Sequence, residues 1–152
     1  MTSNLPPYRD ARRTPYKPEH GKLLRPKGIF SKMEHFSIDA LYMQPNSYIE
    51  SILVDEHPIA VIGMVVLWPG VAEVWSVISE EARETPISFH KCVLSSLVCH
   101  ETVLKLHRTQ MCVRADYEEG LRWAESLGFK SEGVMLKYGP EGNDFFRYAR
   151  VK

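Results

Sequence analysis

The chain has 152 residues, 44% hydrophobic and 25% charged, and its 19 basic and 19 acidic residues cancel to zero net charge. That composition fits one globular domain, or a small domain with a tail, and excludes a collagen-like, low-complexity or strongly charged disordered chain. No apolar run reaches the ~18 residues of a membrane span, and residues 1–7 lack the apolar core of a signal peptide, so an intracellular protein is expected.

The first thirty residues stand apart. Arg9, Arg12, Arg13, Lys17, Lys22, Arg25 and Lys27 face only Asp10 and Glu19, a net +5 against −5 for the remainder. Five of the ten prolines (Pro6, Pro7, Pro15, Pro18 and Pro26) also fall here. Proline fixes φ and removes a backbone donor, so such a segment is expected to join neither a long helix nor a sheet interior. Residues 1–30 therefore read as an extended arm that leaves a domain of residues 31–152 and lies on a partner. The partner-binding candidates are Tyr8, Arg9, Arg12, Arg13, Tyr16, Lys17, Arg25 and Lys27. Aromatic and cationic residues interleaved in this way suit a protein groove, or nucleic-acid phosphate with stacking. The plainer reading is a terminus without fixed structure.

Residues 37–43 read as a short helix with Ser37 as N-cap. Residues 48–55 alternate weakly as a strand, and 55–58 form a turn. Residues 59–68 are a strongly apolar strand in which Gly63 marks a bulge or a close backbone approach. Pro69-Gly70 turns the chain into residues 71–79, which are rich in β-branched and aromatic residues as strands are. Residues 80–85 are polar. Thr85-Pro86 then reads as N-cap and first helical position. It opens a long helix over 86–107 in which Ile87, Leu94, Leu97, Val98 and Leu104 recur at roughly helical spacing. Residues 108–115 form a second strand, with Met111 and Val113 on one face and Cys112 on the other. A shorter helix from Asp116 carries Leu121, Trp123, Ala124 and Leu127, and Gly128 closes it in the left-handed C′ place. Residues 131–138 and 144–151 are strands around a turn at 139–143. A strand–helix–strand unit of this length is a right-handed crossover, so the strands near Ala72 and Thr109 are expected to be parallel. The class is α+β, a mixed and mostly antiparallel sheet with flanking helices.

Cys92, Cys99 and Cys112 are odd in number and form no paired motif, which suggests buried thiols in a reducing compartment. Trp68, Trp75 and Trp123 are expected in the core, with Trp75 a candidate cleft wall. His100-Glu101 begins a zinc-protease pattern, but Leu104 stands where the second histidine belongs. His90, His100 and His107 lack the i, i+4 spacing of helical metal ligands, so no metal is expected.

This order of elements resembles the GCN5-related N-acetyltransferase (GNAT) superfamily, through Leu127-Gly128-Phe129 and the hairpin after it. It is similar in more detail to acetyltransferase-like proteins of tailed bacteriophages, of the internal-virion-protein-A type. The residues concerned are Glu73-Val74-Trp75, those at 86–89, and Arg122-Trp123 through Gly128-Phe129-Lys130-Ser131-Glu132-Gly133. The likeness covers residues 48–151. It implies that the fourth and fifth strands of the family fold splay apart and that acetyl-CoA enters the V between them. The pantetheine would run along Val74, Trp75, Val77, Ile78 and Ser79, and the phosphates would meet Arg83 and Ser88. Glu73 is then the candidate base and Tyr117 the candidate acid, with Tyr138 a second phenol in reach. Each has a plainer reading: Glu73 as a strand carboxylate paired with a cation, and the tyrosines as packing.

The family's phosphate turn normally reads Gln/Arg-x-x-Gly-x-Gly/Ala. Here Ser79-Glu80-Glu81-Ala82-Arg83-Glu84-Thr85-Pro86 stands in its place, without glycine and with three carboxylates where a pyrophosphate would sit. The family's acid tyrosine falls on Ala124, and its usual asparagine on Tyr117. Weak or absent acetyl-CoA binding is therefore expected. The favoured expectation is a structural or assembly component of a virion, located in the host cytoplasm or the particle. Its arm would contact other virion proteins, identical copies or nucleic acid. The alternative is a working acetyl-CoA-dependent N-acetyltransferase on an amine or protein substrate.

Overall fold

The computed structural model describes residues 10–24 and 37–152. Among these residues one seven-stranded sheet forms the centre, with strand order β1-β2-β3-β4-β5-β7-β6. The strands are β1 (Arg12–Pro15), β2 (Ser47–Val54), β3 (His57–Trp68), β4 (Val71–Ile78), β5 (Arg108–Arg114), β6 (Lys130–Met135) and β7 (Phe145–Val151). The helices are α1 (Pro18–Leu23), α2 (Ile38–Tyr42), α3 (Pro86–Val103) and α4 (Glu118–Ser126), with a 3-10 turn over Glu80–Glu84. β2, β3 and β4 form the expected antiparallel meander. β4 and β5 are the one parallel pair of this sheet. The α+β class and the parallel crossover are as the sequence leads one to expect.

The sheet separates two apolar layers. On one face α3 and α4 pack Phe89, Val93, Leu97, Ala124 and Leu127 against Ile52, Ala60, Ile62 and Ile78. On the other, Tyr16, Leu24, Val61 and Val77 form a smaller cluster with Ile38, Ile49 and Trp75. The period-2 alternation of β3 and β4 sends neighbouring residues to opposite layers.

Residues 10–24, the described part of the first thirty, do not form a detached arm. Arg12–Pro15 is the edge strand of the sheet, antiparallel to β2 in the register Arg12↔Leu53 to Pro15↔Glu50. Tyr16 is only 3% exposed, and Pro18 opens α1 at a first-turn position. Edge strands and first helical turns are the places where a missing N–H costs nothing, so these prolines sit where they are tolerated. Residues 10–24 thus belong to the domain. Residues 1–9 and 25–36, with Tyr8, Arg9, Arg25 and Lys27, lie outside the described residues.

The long helix also differs from its expected span, ending at Val103 and not at His107. Lys105 adopts a left-handed φ of 53°, Leu106 N–H donates to the Glu101 carbonyl (2.9 Å), and Lys105 N–H to that of Thr102 (3.3 Å). This is the Schellman arrangement at a non-glycine residue, and it turns Leu106 into a core with Met64 and Ala72. α4 ends the same way at Gly128, φ 89°, with Phe129 N–H on the Ala124 carbonyl (3.1 Å). Trp68 is 61% exposed at the β3–β4 hairpin, and is therefore no core residue. Cys99 is exposed on α3 while Cys92 and Cys112 are half-buried, so burial holds for none of the three in full.

Candidate active site

β4 and β5 stay paired for a short distance only. The register runs Val71↔Arg108, Ala72↔Thr109 and Glu73↔Gln110, and stops there. Beyond it β5 continues beside β7 and β4 beside β3, so the two strands part toward their C-terminal ends as expected. Sheets hold their strands by ladder hydrogen bonds, so a gap in the ladder leaves backbone donors and acceptors facing a cleft.

Val74 and Met111, the residues that follow the last pair on each strand, both line a cavity of about 50 Å³. Ile62, Met64, Val93, Leu97 and Phe129 surround it, with Trp75 and Gly63 on one side and Tyr48, Ser96 and His100 at the far end. Trp75 lies across Gly63, where any Cβ would collide with the indole. Gly63 thus marks a close approach; the bulges of β3 fall elsewhere, opposite Ile52/Leu53 and at Val66/Trp68. Val77 and Ile78, the other pantetheine candidates, are buried in the two apolar layers.

Glu73 occupies the last paired position, on the face opposite α3. Arg147 Nη1 lies 2.9 Å from each of its carboxylate oxygens, Gln110 Nε2 donates at 2.8 Å, and the Cys112 thiol is 3.6 Å away. The paired-carboxylate reading of Glu73 is therefore the geometry present, and Arg147 and Gln110 are the partners sequence reasoning missed. Arg147 approaches from β7, 74 residues along the chain, and no local pattern marks it. Burial, and next the charge of Glu73, push the Cys112 thiol up, which keeps it protonated at neutral pH. The neighbouring Cys112 thiol and burial likewise raise the Tyr138 phenol, although Tyr138 is 56% exposed.

Tyr117 is the N-cap residue of α4, half-buried, with its ring stacked closely over Gly120. Burial, then the charge of Glu119, raise its phenol, while Arg83 pulls it the other way. Its charged neighbours are thus at the mouth of the V, whereas those of Glu73 are at its root. The structure does not bring the candidate base and acid together.

At the mouth, Arg83 donates to Glu119 at 2.7 Å and lies 3.4 Å from Glu80. His57 Nε2 lies 2.8 Å from Glu81. The Arg83–Glu119 pair joins the turn after β4 to the helix after β5, across the opening. Behind it Phe89 of α3 stacks on Trp123 of α4, centroids 5.5 Å apart at 23°, and the indole N–H meets His90 Nδ1 at 3.3 Å. Ser79 is 1% exposed, and its hydroxyl and that of Thr85 are buried without a hydrogen-bond partner. Pro86 lacks an N–H, which leaves the amides of Ile87 and Ser88 as first-turn donors of α3. The Ser88 hydroxyl accepts the Ala11 N–H at 2.7 Å, so only its amide is open to a ligand.

Of the partner-binding candidates on the described part of the first segment, Arg13 and Tyr16 turn into the domain, while Arg12 and Lys17 stay exposed. Arg12 pairs with Glu56 (2.6 Å), and Arg13 with Glu50 (3.1 Å) and the Ser95 hydroxyl (2.8 Å). The Tyr16 hydroxyl donates to Asp39 at 2.8 Å. Lys17 is exposed at the start of α1. These contacts bind the segment to its own domain.

No protein-family model and no curated protein sequence matches the chain. Solved structures do. A chimera of the spermidine N-acetyltransferase SpeG from Vibrio cholerae and hSSAT has a TM-score of 0.74 at 14% identity, over 93% of this chain and 95% of that one. A SpeG variant from the same organism has a TM-score of 0.64 at 15% identity, over 74% of this chain and 70% of that one. A ribosomal-protein-S5-alanine acetyltransferase from Vibrio fischeri gives 0.64 at 16%, over 74% and 66%. At these identities the likeness establishes the fold, which is that of the GNAT acetyltransferases. These neighbours lend no support to a closer kinship with bacteriophage proteins or to a virion location. Among the described residues no helix is long and apolar enough to cross a membrane.

Proposed function

We propose that the protein is an acyl-CoA-dependent N-acyltransferase acting on a primary amine of a small molecule or a protein. The observation that carries this reading is the parting of β4 and β5 after Glu73↔Gln110, directly onto an apolar cavity shared by Val74 and Met111. A GNAT fold alone would not suffice, because fold does not imply function. An open, partly apolar cleft at the carboxyl ends of a parallel strand pair adds the site.

When bound, acetyl-CoA supplies a thioester: the amine nitrogen forms a bond to the acyl carbon, the carbon–sulfur bond breaks, and the thiolate leaves to take up a proton. The chain's own groups would do the rest. The backbone groups of Val74 and Trp75, freed from the ladder, would align the pantetheine. The amides of Ile87 and Ser88 at the start of α3 suit the phosphate end. Arg83 reaches those phosphates only by leaving Glu119. Glu73 would take the proton that the ammonium must lose, through water, and Arg147 and Gln110 would keep its carboxylate in place. The phenol of Tyr138, held protonated beside Cys112, is better placed than Tyr117 to return a proton to the leaving sulfur.

A second reading keeps the fold as a scaffold with no turnover, as in a structural or assembly protein whose first residues contact a partner. The pairing of Arg83 with Glu119 and of Glu73 with Arg147 favours it. Isothermal titration with acetyl-CoA, followed by mass detection of acetyl transfer to spermidine and to lysine peptides, decides between them. Saturable binding and a product 42 mass units heavier (roughly the mass of one added acetyl group) are expected. No heat of binding with well-folded protein would leave the scaffold reading.

A further inference from the structure

We infer that the acyl group this site accepts is larger than acetyl: an unbranched, uncharged chain of about three to five carbons. The inference rests on the acyltransferase reading and names its donor. Three observations converge on it. First, the gap between the strands has somewhere to lead. The residues just past the last ladder pair, Val74 and Met111, are themselves part of the cavity wall. A thioester held at the root of the V therefore points its acyl carbon into the space under α3.

Second, the space exceeds what acetyl needs. Its volume of about 50 Å³ is several times the ~10–15 Å³ that admits one water, so a methyl group alone leaves most of it empty. Ile62, Met64, Val93, Leu97 and Phe129 offer hydrocarbon, and an unfilled hydrocarbon void forfeits contacts that additional methylenes would make.

Third, the polar groups of the far wall are already committed elsewhere. The Ser96 hydroxyl donates to Glu50 at 2.5 Å. His100 Nδ1 lies 2.8 Å from the Ser96 carbonyl, and its ring sits 5.9 Å from that of Tyr48. Glu50 in turn holds Arg13 at 3.1 Å. A carboxylate at the end of the chain would meet the Glu50 charge, and there the Ser96 hydroxyl and His100 Nδ1 are already engaged. The site thus selects against malonyl and succinyl groups as well as against acetyl.

The test titrates the full-length protein with free CoA and with its acetyl, propionyl, butyryl, octanoyl and succinyl thioesters. Affinity is expected to rise roughly fourfold with each methylene from acetyl to butyryl, the value of a buried CH₂, and to fall again for octanoyl. Val93→Phe, which fills the cavity, should cancel the rise and leave acetyl and butyryl thioesters equal. Leu97→Ala, which enlarges it, should move the optimum to a longer chain, and the opposite signs guard against a fault in folding. Acetyl or succinyl thioesters binding as tightly as butyryl would overturn the inference and leave the acyltransferase reading standing. Failure of every thioester and of CoA itself would overturn that reading too.

Discussion

Glu101 is the most confined charge among the described residues, 3% exposed on α3. Arg150 meets it with Nε at 2.7 Å and Nη2 at 3.2 Å, the Thr109 hydroxyl donates at 3.0 Å, and Lys152 lies 3.6 Å away. Burial by itself pushes this carboxyl up; the hydrogen bonds and charge of Arg150, with Thr109 and Lys152, outweigh it and hold the group below its ordinary value. A depressed folded value stabilises the protein above the unfolded one of about 4.3 and ceases to do so as pH falls through the folded one. Melting temperature should therefore drop on the acid side of about pH 4. Glu101→Gln should melt lower at pH 7, because removing one partner of a buried pair costs about 3–5 kcal/mol, and should show a flatter acid limb. An acid limb identical to wild type would remove Glu101 from the account. None of this is legible in the sequence, where His100-Glu101 reads only as a broken metal motif and Arg150 is 49 residues distant. Glu73 is a parallel case. The sequence offers both base and ion pair, and the pair is what the fold builds. Glu73→Gln should reduce amine acylation by about 10²-fold if the carboxylate is the base. Turnover that is unchanged while the melting temperature falls would make Glu73 a structural partner of Arg147.

At the scale of elements, residues 10–24 were the hardest to read. Their prolines and charge suggest a free arm, yet the sheet edge and the start of α1 are just where proline and an exposed cation are at home. The informative residue is Tyr16, which is indistinguishable in a list from the exposed tyrosines but fills the layer with Val61, Val77 and Leu24. Burial, then its hydrogen bond to Asp39, raise its phenol well above the ordinary range. Tyr16→Ala should cost about 3–5 kcal/mol, the usual loss for a large buried aromatic, or roughly 10 °C in melting temperature for a domain this size. A shift under 2 °C, against that ~10 °C, would return the segment to the status of an arm. The elements from β2 onward were legible because each carries its own signal: period-2 alternation, the Thr85-Pro86 start, the Gly128 stop. Gly128 has a second reason beyond its φ of 89°, since a Cβ there would meet Arg150 Nη1 at 2.7 Å. Gly128→Ala should accordingly destabilise by more than the ~1 kcal/mol of backbone strain alone.

Over the whole molecule the question is whether the V opens. Its two sides end in helices of one layer, α3 and α4, which touch through Phe89 on Trp123 and, at the rim, through the turn residue Arg83 on Glu119. The rim pair is about half exposed on both sides, 57% and 48%, so it contributes ~0–1 kcal/mol and yields to a stronger competitor. A pyrophosphate carries more charge than one carboxylate and would meet the start of α3 as well, so Arg83 can exchange Glu119 for it. The carboxylates of Glu80, Glu81 and Glu84 oppose that exchange, which is why the sequence alone suggests weak or absent acetyl-CoA binding. The balance depends on charges near the surface, and it should respond to both mutation and salt. Glu119→Gln removes the competitor and leaves Arg83 in place, and should tighten CoA binding by up to about fivefold, the equivalent of ~1 kcal/mol. Arg83→Glu should weaken binding at least as much. Raising salt from 50 to 500 mM should weaken wild-type binding as screening grows over the Debye length. CoA titrations of the three proteins at two salt concentrations read all of this directly. Equal affinities throughout would mean that the phosphates never reach Arg83 and that the rim pair is only a surface contact.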